Sequence, residues 1–425
     1  MASSSASQPQ KLTVRHMIVA VAVCLMACGT MGMPNAYGVF YKPMAEGLNV
    51  GQGAVTLHMS VSNLCIGLFT PIVSYSLAHG HRIRNVIAVA GALIAASGLV
   101  IGLTESTLIM TVAAAIRGIG YAAVSMLIIT LYIGNWFEKG RGTLTGIALS
   151  GSGIGSAIAS PILTACIARF GYQPTYLGYV GFTLLTLLPV ALLCPLTPQE
   201  IGLLPLGASD QPARTQEGDA STNEGLGLRF KMLRLTYAAL VLFVICIVLI
   251  TSLSGHMASL AQDYGYSAAI GGLLLSASMV GNVVSKFVLG ALADRFGAFR
   301  ATACSLVTTA CGLALILLNP GGQAALLAAG FLFGTSFSIG SLGNSLLTRH
   351  LYGDAQYADA YASISLVTSL ASAIGVTVIG FAYDLTGSYA TPVAVGLALA
   401  GVAALCLVYL HWRVTTQPWK KRKKA

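Results

Sequence analysis

The chain has 425 residues, of which 56% are apolar and only 8% charged, with a formal charge of +10. Soluble domains carry roughly a quarter charged residues, so a water-facing surface cannot be assembled from this composition and a bilayer is the expected solvent. The Lys and Arg excess does not point to nucleic acid, because its members fall between apolar runs.

Residues 1–16 read as a short cytoplasmic tail, and the first apolar run reads as a span and not as a cleavable signal, since many similar runs follow. A helix needs about 20 apolar residues to cross the hydrocarbon layer. Runs of that kind lie near 17–40, 54–78, 86–104, 107–135, 143–168, 175–194, 235–260, 267–292, 301–319, 322–348, 358–384 and 390–412. The spacing therefore predicts an all-α membrane protein of 12 transmembrane helices. An even count puts both termini on one side. Of the 23 basic residues, all but Lys42, Arg169, Arg117 and Lys286 then fall on the side of the termini, among them Arg82, Arg84, Lys139, Arg141, Arg300 and the tail Lys420–Lys424. The positive-inside rule assigns that side to the cytoplasm, in a cell membrane crossed many times.

Residues 195–234 form a polar loop rich in Gly, Pro, Ser, Thr and acids, with linker composition around Ala208–Gly227. It divides the chain into an N-terminal six-helix bundle (17–194), a cytoplasmic linker (195–234), a C-terminal six-helix bundle (235–412) and a basic tail (413–425). The nine cysteines lie in or beside apolar runs without zinc-ligand spacing, so neither a disulfide framework nor a metal site is expected. No catalytic constellation or P-loop appears, so no enzyme, no cofactor and no ATP drive within this chain are expected.

Two cations remain inside the runs, Arg117 in the fourth and Lys286 in the eighth, while all 13 acids lie in loops or at span ends. Arg117 is about ten residues, or roughly 15 Å, from the outer end of its run. A charge near the bilayer centre costs from ~2.5 to more than 10 kcal/mol and is tolerated toward a partner or a polar cavity. With no internal acid, a bound anion is the natural partner. Lys286 lies nearer the cytoplasmic end, where its stem can also snorkel. His256 and His58 fall near outer span ends and are the groups able to titrate near neutrality. Tyr37, Tyr41, Tyr121 and Tyr132 can offer hydroxyls to a substrate or serve as packing.

The run G-A-L-A-D-R-F-G at Gly290–Gly297 resembles the cytoplasmic signature of the major facilitator superfamily. Its first-half counterpart, S-L-A-H-G-H-R-I-R at Ser76–Arg84, lacks the acid, so a gating role carries over only to Asp294, with Gly290, Arg295 and Gly297. A longer stretch, W-F-E-K-G-R-G-T-L-T-G-I-A-L-S-G-S-G-I-G at Trp136–Gly155, resembles the fifth-span signature of the monocarboxylate porter and oxalate:formate antiporter-like family. Y-G-V-F-Y at Tyr37–Tyr41, P-Q-E-I-G-L-L-P at Pro198–Pro205 and the segment His256–Gly265 resemble other pieces of that family.

The resemblance implies a fold of two six-helix bundles and a functional monomer. In N-V-V-S-K-F-V-L-G, Asn282–Gly290, Lys286 occupies the place of the family's substrate-contacting Arg, and Asn282 that of an Asp in animal members. Asn35 stands where animal members have a Lys, and Thr368 where the oxalate:formate exchanger has one. The superfamily's fourth-span Arg precedes its Gly by four residues, whereas Arg117 precedes Gly120 by three. The expected function is secondary transport of a small organic anion, a monocarboxylate of the lactate or pyruvate type, with a proton or in exchange for another anion. The expected site comprises Lys286, Arg117, Asn282, His256, Asn35, Tyr37, Tyr121 and Thr368. A carrier of a bulkier organic anion or a neutral amphipathic compound is the alternative, and a membrane sensor that binds without transporting is a third reading.

Overall fold

The computed structural model describes residues 13–79, 83–124, 126–138, 141–207, 234–319 and 321–416. Arg82, Lys139, the tail Lys420–Lys424 and the linker centre 208–233 lie outside them. Within hydrocarbon every backbone group must find an internal partner, so apolar runs of this length become helices. Among the described residues eleven helices are long and apolar enough to cross a membrane: α1 (Val14–Asn35), α2 (Gln52–Leu77), α3 (Ile83–Leu103), α5 (Leu144–Phe170), α6 (Tyr172–Leu193), α7 (Leu235–Asp263), α8 (Ala268–Phe296), α9 (Ala298–Leu318), α10 (Gln323–Tyr352), α11 (Ala360–Thr386) and α12 (Ala390–Thr415). The fourth predicted span, expected as one run over 107–135, is broken. α4 consists of Thr107–Ala122 and Met126–Trp136. At the break Ala123 and Val124 donate to Gly120 and Tyr121, three residues back, and the α-ladder is lost.

Three more helices depart from α geometry. α1 passes through a π turn at Cys28–Gly32, and beyond Asn35 it is extended by a 3-10 turn at Tyr37–Phe40 and a short helix at Tyr41–Leu48, which we count with it. Pro34 explains the start of this irregularity, because it cannot donate to the carbonyl of Thr30 and its ring crowds that oxygen. α7 contains a 3-10 turn at Leu253–His256, and α10 a π turn at Ile339–Gly343. The irregular helices are thus the first and fourth of each half. The large side chains turned outward, such as Leu108 (73% exposed) and Leu405 (72%), meet lipid.

One face of the molecule carries the start of α1 and the end of α12. His16 at the start of α1 bonds the Leu204 carbonyl beyond α6 (3.2 Å), and Phe299 at the start of α9 packs on His411 near the end of α12 (5.1 Å). We call this the terminal face and its opposite the distal face. The segment after α6 is docked there: the Trp136 indole donates to the Pro195 carbonyl (3.1 Å), and Leu206 N–H to the Trp136 carbonyl (2.9 Å). The first part of the predicted linker is therefore fixed to the end of α4.

The two six-helix bundles meet along α2–α11 and α5–α8. Ser60 and Thr377 hydroxyls lie 2.5 Å apart, Ser160 donates to the Gly272 carbonyl (2.9 Å), and Ser276 to the Ala157 carbonyl (2.6 Å). All three lie at mid-membrane or on its distal side. The glycines of the fifth-span signature divide their work between neighbours. A methyl group at Gly155 would stand 2.7 Å from the Cys28 carbonyl of α1, and one at Gly153 would stand 3.0 Å from the Met279 carbonyl of α8.

Candidate functional site

Arg117 of α4 is only 3% exposed. Its guanidinium donates to the Tyr176 hydroxyl of α6 (3.1 Å) and to the Met59 sulfur of α2 (2.9 Å), and sits 5.3 Å from the centroid of the Tyr37 ring of α1. Tyr176 stacks on Tyr179 (5.6 Å), whose hydroxyl meets that of Tyr121 (3.4 Å). Close approach of α4 to α2 makes this possible: a methyl group at Gly118 would overlap the Ser62 carbonyl. No carboxylate touches Arg117 among the described residues. A cation–π contact supplies about 0.5–2 kcal/mol, and a thioether is a weak acceptor. Burying an ion costs several kcal/mol, so the cage leaves the charge undercompensated.

Tyr37 is pinned by His58, which is fully buried. His58 Nδ1 bonds the Val55 carbonyl, so it carries the hydrogen, and Nε2 accepts from the Tyr37 hydroxyl (2.8 Å). Arg117, Tyr37 and Tyr121 therefore come together in the N-terminal bundle. Tyr176, Tyr179 and Met59 complete the group, and sequence reasoning missed them. The pairing of Tyr176 with Tyr179 at helical spacing on α6 was the available signal.

The second cation lies on α8. Asn282 is 1% exposed, and among the described residues its Nδ2 reaches only the Met279 sulfur (3.9 Å) and its Oδ1 has no partner. Lys286, one turn further, is half-buried and has no hydrogen-bond partner among the described residues. Val283, three residues before Lys286, packs against Gly153 of α5.

The remaining candidates are dispersed. Asn35 is half-buried on α1 without a hydrogen bond among the described residues. Thr368 donates to its own helix at the Ile364 carbonyl (2.9 Å). Asp294 and Arg295 are exposed at the end of α8, with Arg295 lying over the Phe296 ring (5.4 Å), and Gly297 turns the chain into α9 with φ +84°. Gly290 lies against Leu342 of α10. His256, expected near the outer mouth of its span, is fully buried at the distal face. Its Nε2 pairs with the Val376 carbonyl (2.9 Å) and its Nδ1 with the Tyr389 hydroxyl (3.1 Å), and Tyr41 of the other bundle packs on it (5.2 Å).

Comparison with known proteins identifies the scaffold. The sequence profile of the Major Facilitator Superfamily matches residues 19–259 and 239–425. The chain belongs to this superfamily. Among curated relatives, an uncharacterized MFS-type transporter, YcxA, of Bacillus subtilis is 24% identical over 173 residues, 40% of this chain and 41% of its own. The MFS-type transporter pytF of Aspergillus terreus is 27% identical over 63% of this chain and 86% of its own. Monocarboxylate transporter 12 of the rat is 30% identical over 30% of this chain and 26% of its own. The match thus spans less than half the length of the Bacillus and rat proteins. Two solved structures share the fold: the nucleoside transporter NupG (TM-score 0.70, 13% identity, covering 95% of this chain and 100% of that one) and a D-xylose–proton symporter (TM-score 0.70, 14% identity, 93% and 96%). The chain is a multi-pass membrane protein of the major facilitator superfamily.

Proposed function

We propose that this superfamily member is a secondary transporter for a small organic anion, a monocarboxylate of the lactate or pyruvate type. It would move with a proton or in exchange for another anion, through a monomer whose termini lie in the cytoplasm. The observation that carries this reading is the pair of cations within the spans, Arg117 and Lys286, neither of which touches a carboxylate among the described residues. An anionic substrate supplies the missing charge. Lys286 attracts the carboxylate, and Asn282 offers an unpartnered oxygen to a hydroxyl or acid proton. Arg117 adds positive potential from beneath Tyr37. Lys presents a point charge and not the planar fork of Arg, so carboxylate geometry is read loosely. The name of the rat relative agrees with this substrate class.

The test is uptake of labelled monocarboxylates into proteoliposomes. Lys286→Gln is expected to lower uptake efficiency about tenfold or more, the worth of a charge-assisted hydrogen bond, with Lys286→Arg partly active. Unchanged kinetics for every transported anion would sink the assignment.

A second reading is a bulkier amphipathic substrate. It is favoured by an apolar groove of about 560 Å³ between α1, α5 and α6, lined by Leu25, Met33, Ile158, Leu163, Tyr179 and Phe182 among others. Under that reading, bulky organic anions would raise the thermal midpoint of the purified protein and lactate or pyruvate would not.

A further inference from the structure

The first two backbone N–H groups of α2 are capped from the opposite bundle. Gly51 precedes the helix in an extended conformation and has no side chain with which to cap it. Asp384 of α11 does so instead. Its Oδ1 accepts from Gln52 N–H (2.9 Å) and its Oδ2 from Gly53 N–H (2.8 Å). Glycine on both helices permits this approach. A methyl group at Gly51 would overlap the Asp384 carboxylate, and one at Gly380 would stand 2.9 Å from Gly53 Cα.

Asp384 sits in the last turn of its own helix, where the backbone dipole presents partial negative charge, and at the first turn of α2, where it presents partial positive charge. Its placement is unfavourable within its own bundle and favourable only when α2 is present. Asp263 makes a useful contrast. It accepts from Tyr389 N–H (2.9 Å) and Ser388 (3.3 Å) at the head of α12, wholly inside the C-terminal bundle. The Tyr389 hydroxyl held there also meets the side-chain amide of Gln52, so a second bond reaches across to the tip of α2 beside the carboxylate. His256 joins Tyr389 from behind. Gln52, Tyr389 and His256 are all buried.

We propose that Asp384 is a distal latch. It caps α2 across the bundle interface in the conformation closed at the distal face, and opening of that face requires the carboxylate to leave the α2 terminus. Tyr389, braced by Asp263 and His256, is the second bond of the same latch. The inference does not depend on which substrate is carried.

Hydrogen-exchange mass spectrometry of the full-length protein in lipid nanodiscs tests it. In Asp384→Ala the amides of residues 52–60, 253–260 and 389–393 are expected to exchange about tenfold faster, the factor that losing charge-assisted hydrogen bonds implies. Asp384→Asn, which keeps one carbonyl acceptor, should fall between wild type and Asp384→Ala, and serves if the alanine variant does not fold. The double variant Asp384→Ala/Gly51→Ser gives α2 a cap of its own. It should recover protection at residues 52–55 and leave 253–260 and 389–393 fast, because no bond to the other bundle is restored. Unchanged exchange in Asp384→Ala and Asp384→Asn would overturn the proposal. So would an effect confined to residues 52–55 and cured by Gly51→Ser, since Asp384 would then be a local cap and no latch.

Discussion

At Arg117 a guanidinium is enclosed by Tyr37, Tyr176 and Met59 with no acid in contact among the described residues. Replacing an uncompensated buried charge by an apolar chain of similar length is commonly neutral or stabilising, whereas deleting one member of a true ion pair costs about 3–5 kcal/mol. Arg117→Met is therefore expected to hold or raise the thermal midpoint of the purified protein while uptake falls at least tenfold. A fall of several degrees with uptake intact would make Arg117 a structural strut. Its isolation from acids was legible in the chain, since every acid lies in a loop or at a span end. Its cage was not, because Tyr37, Met59 and Tyr176 come from three other helices and only packing brings them together. His256, expected as a group able to titrate near neutrality, is instead enclosed, with its two ring nitrogens bonded to Val376 and Tyr389.

Among the helices, α5 shows how closely two spans must approach where lipid offers no hydrophobic drive for association. Gly151 and Gly155 admit α1, Gly153 admits α8, and a methyl group at Gly146 would meet nothing within 4 Å. The four glycines look alike in sequence and differ in consequence. Gly155→Ala should destabilise by about 1–3 kcal/mol through overpacking against Cys28. Gly146→Ala should be neutral or stabilising by up to about 1 kcal/mol through helix propensity. Thermal midpoints of the two variants in the same detergent would check both, and equal shifts would contradict the assignment. Element existence was legible from apolar run length, and the turn at Gly297 from its signature. The break in α4 was not, since Gly120–Val124 contains no proline and its apolar character is continuous.

Among the described residues the molecule repeats one plan twice: α1, α4, α7 and α10 depart from α geometry, and the other eight helices run through, even with Pro71, Pro161 and Pro189 inside three of them. Discontinuous helices in transporters concentrate where two repeats meet around a binding site, and the irregular segments of α1 and α7 already bring Tyr41 against His256. The six-plus-six division was legible from the position of the long loop, and the repetition of the irregular turns was not. A π turn is an α-helix holding one surplus residue. Deleting Gly340 within Ile339–Gly343 should return α10 to plain helix with both flanks in register, and leave a monodisperse, folded protein. Deleting Val280 of α8 turns everything beyond it by about 100°, which carries Asn282 and Lys286 off their face, and should abolish both folding yield and uptake. Size-exclusion profiles and proteoliposome uptake distinguish the two. In Cys28–Gly32 and Ile339–Gly343 the polypeptide thus holds two slack residues, one per bundle, where its length can change by one while the rest of the scaffold keeps its count.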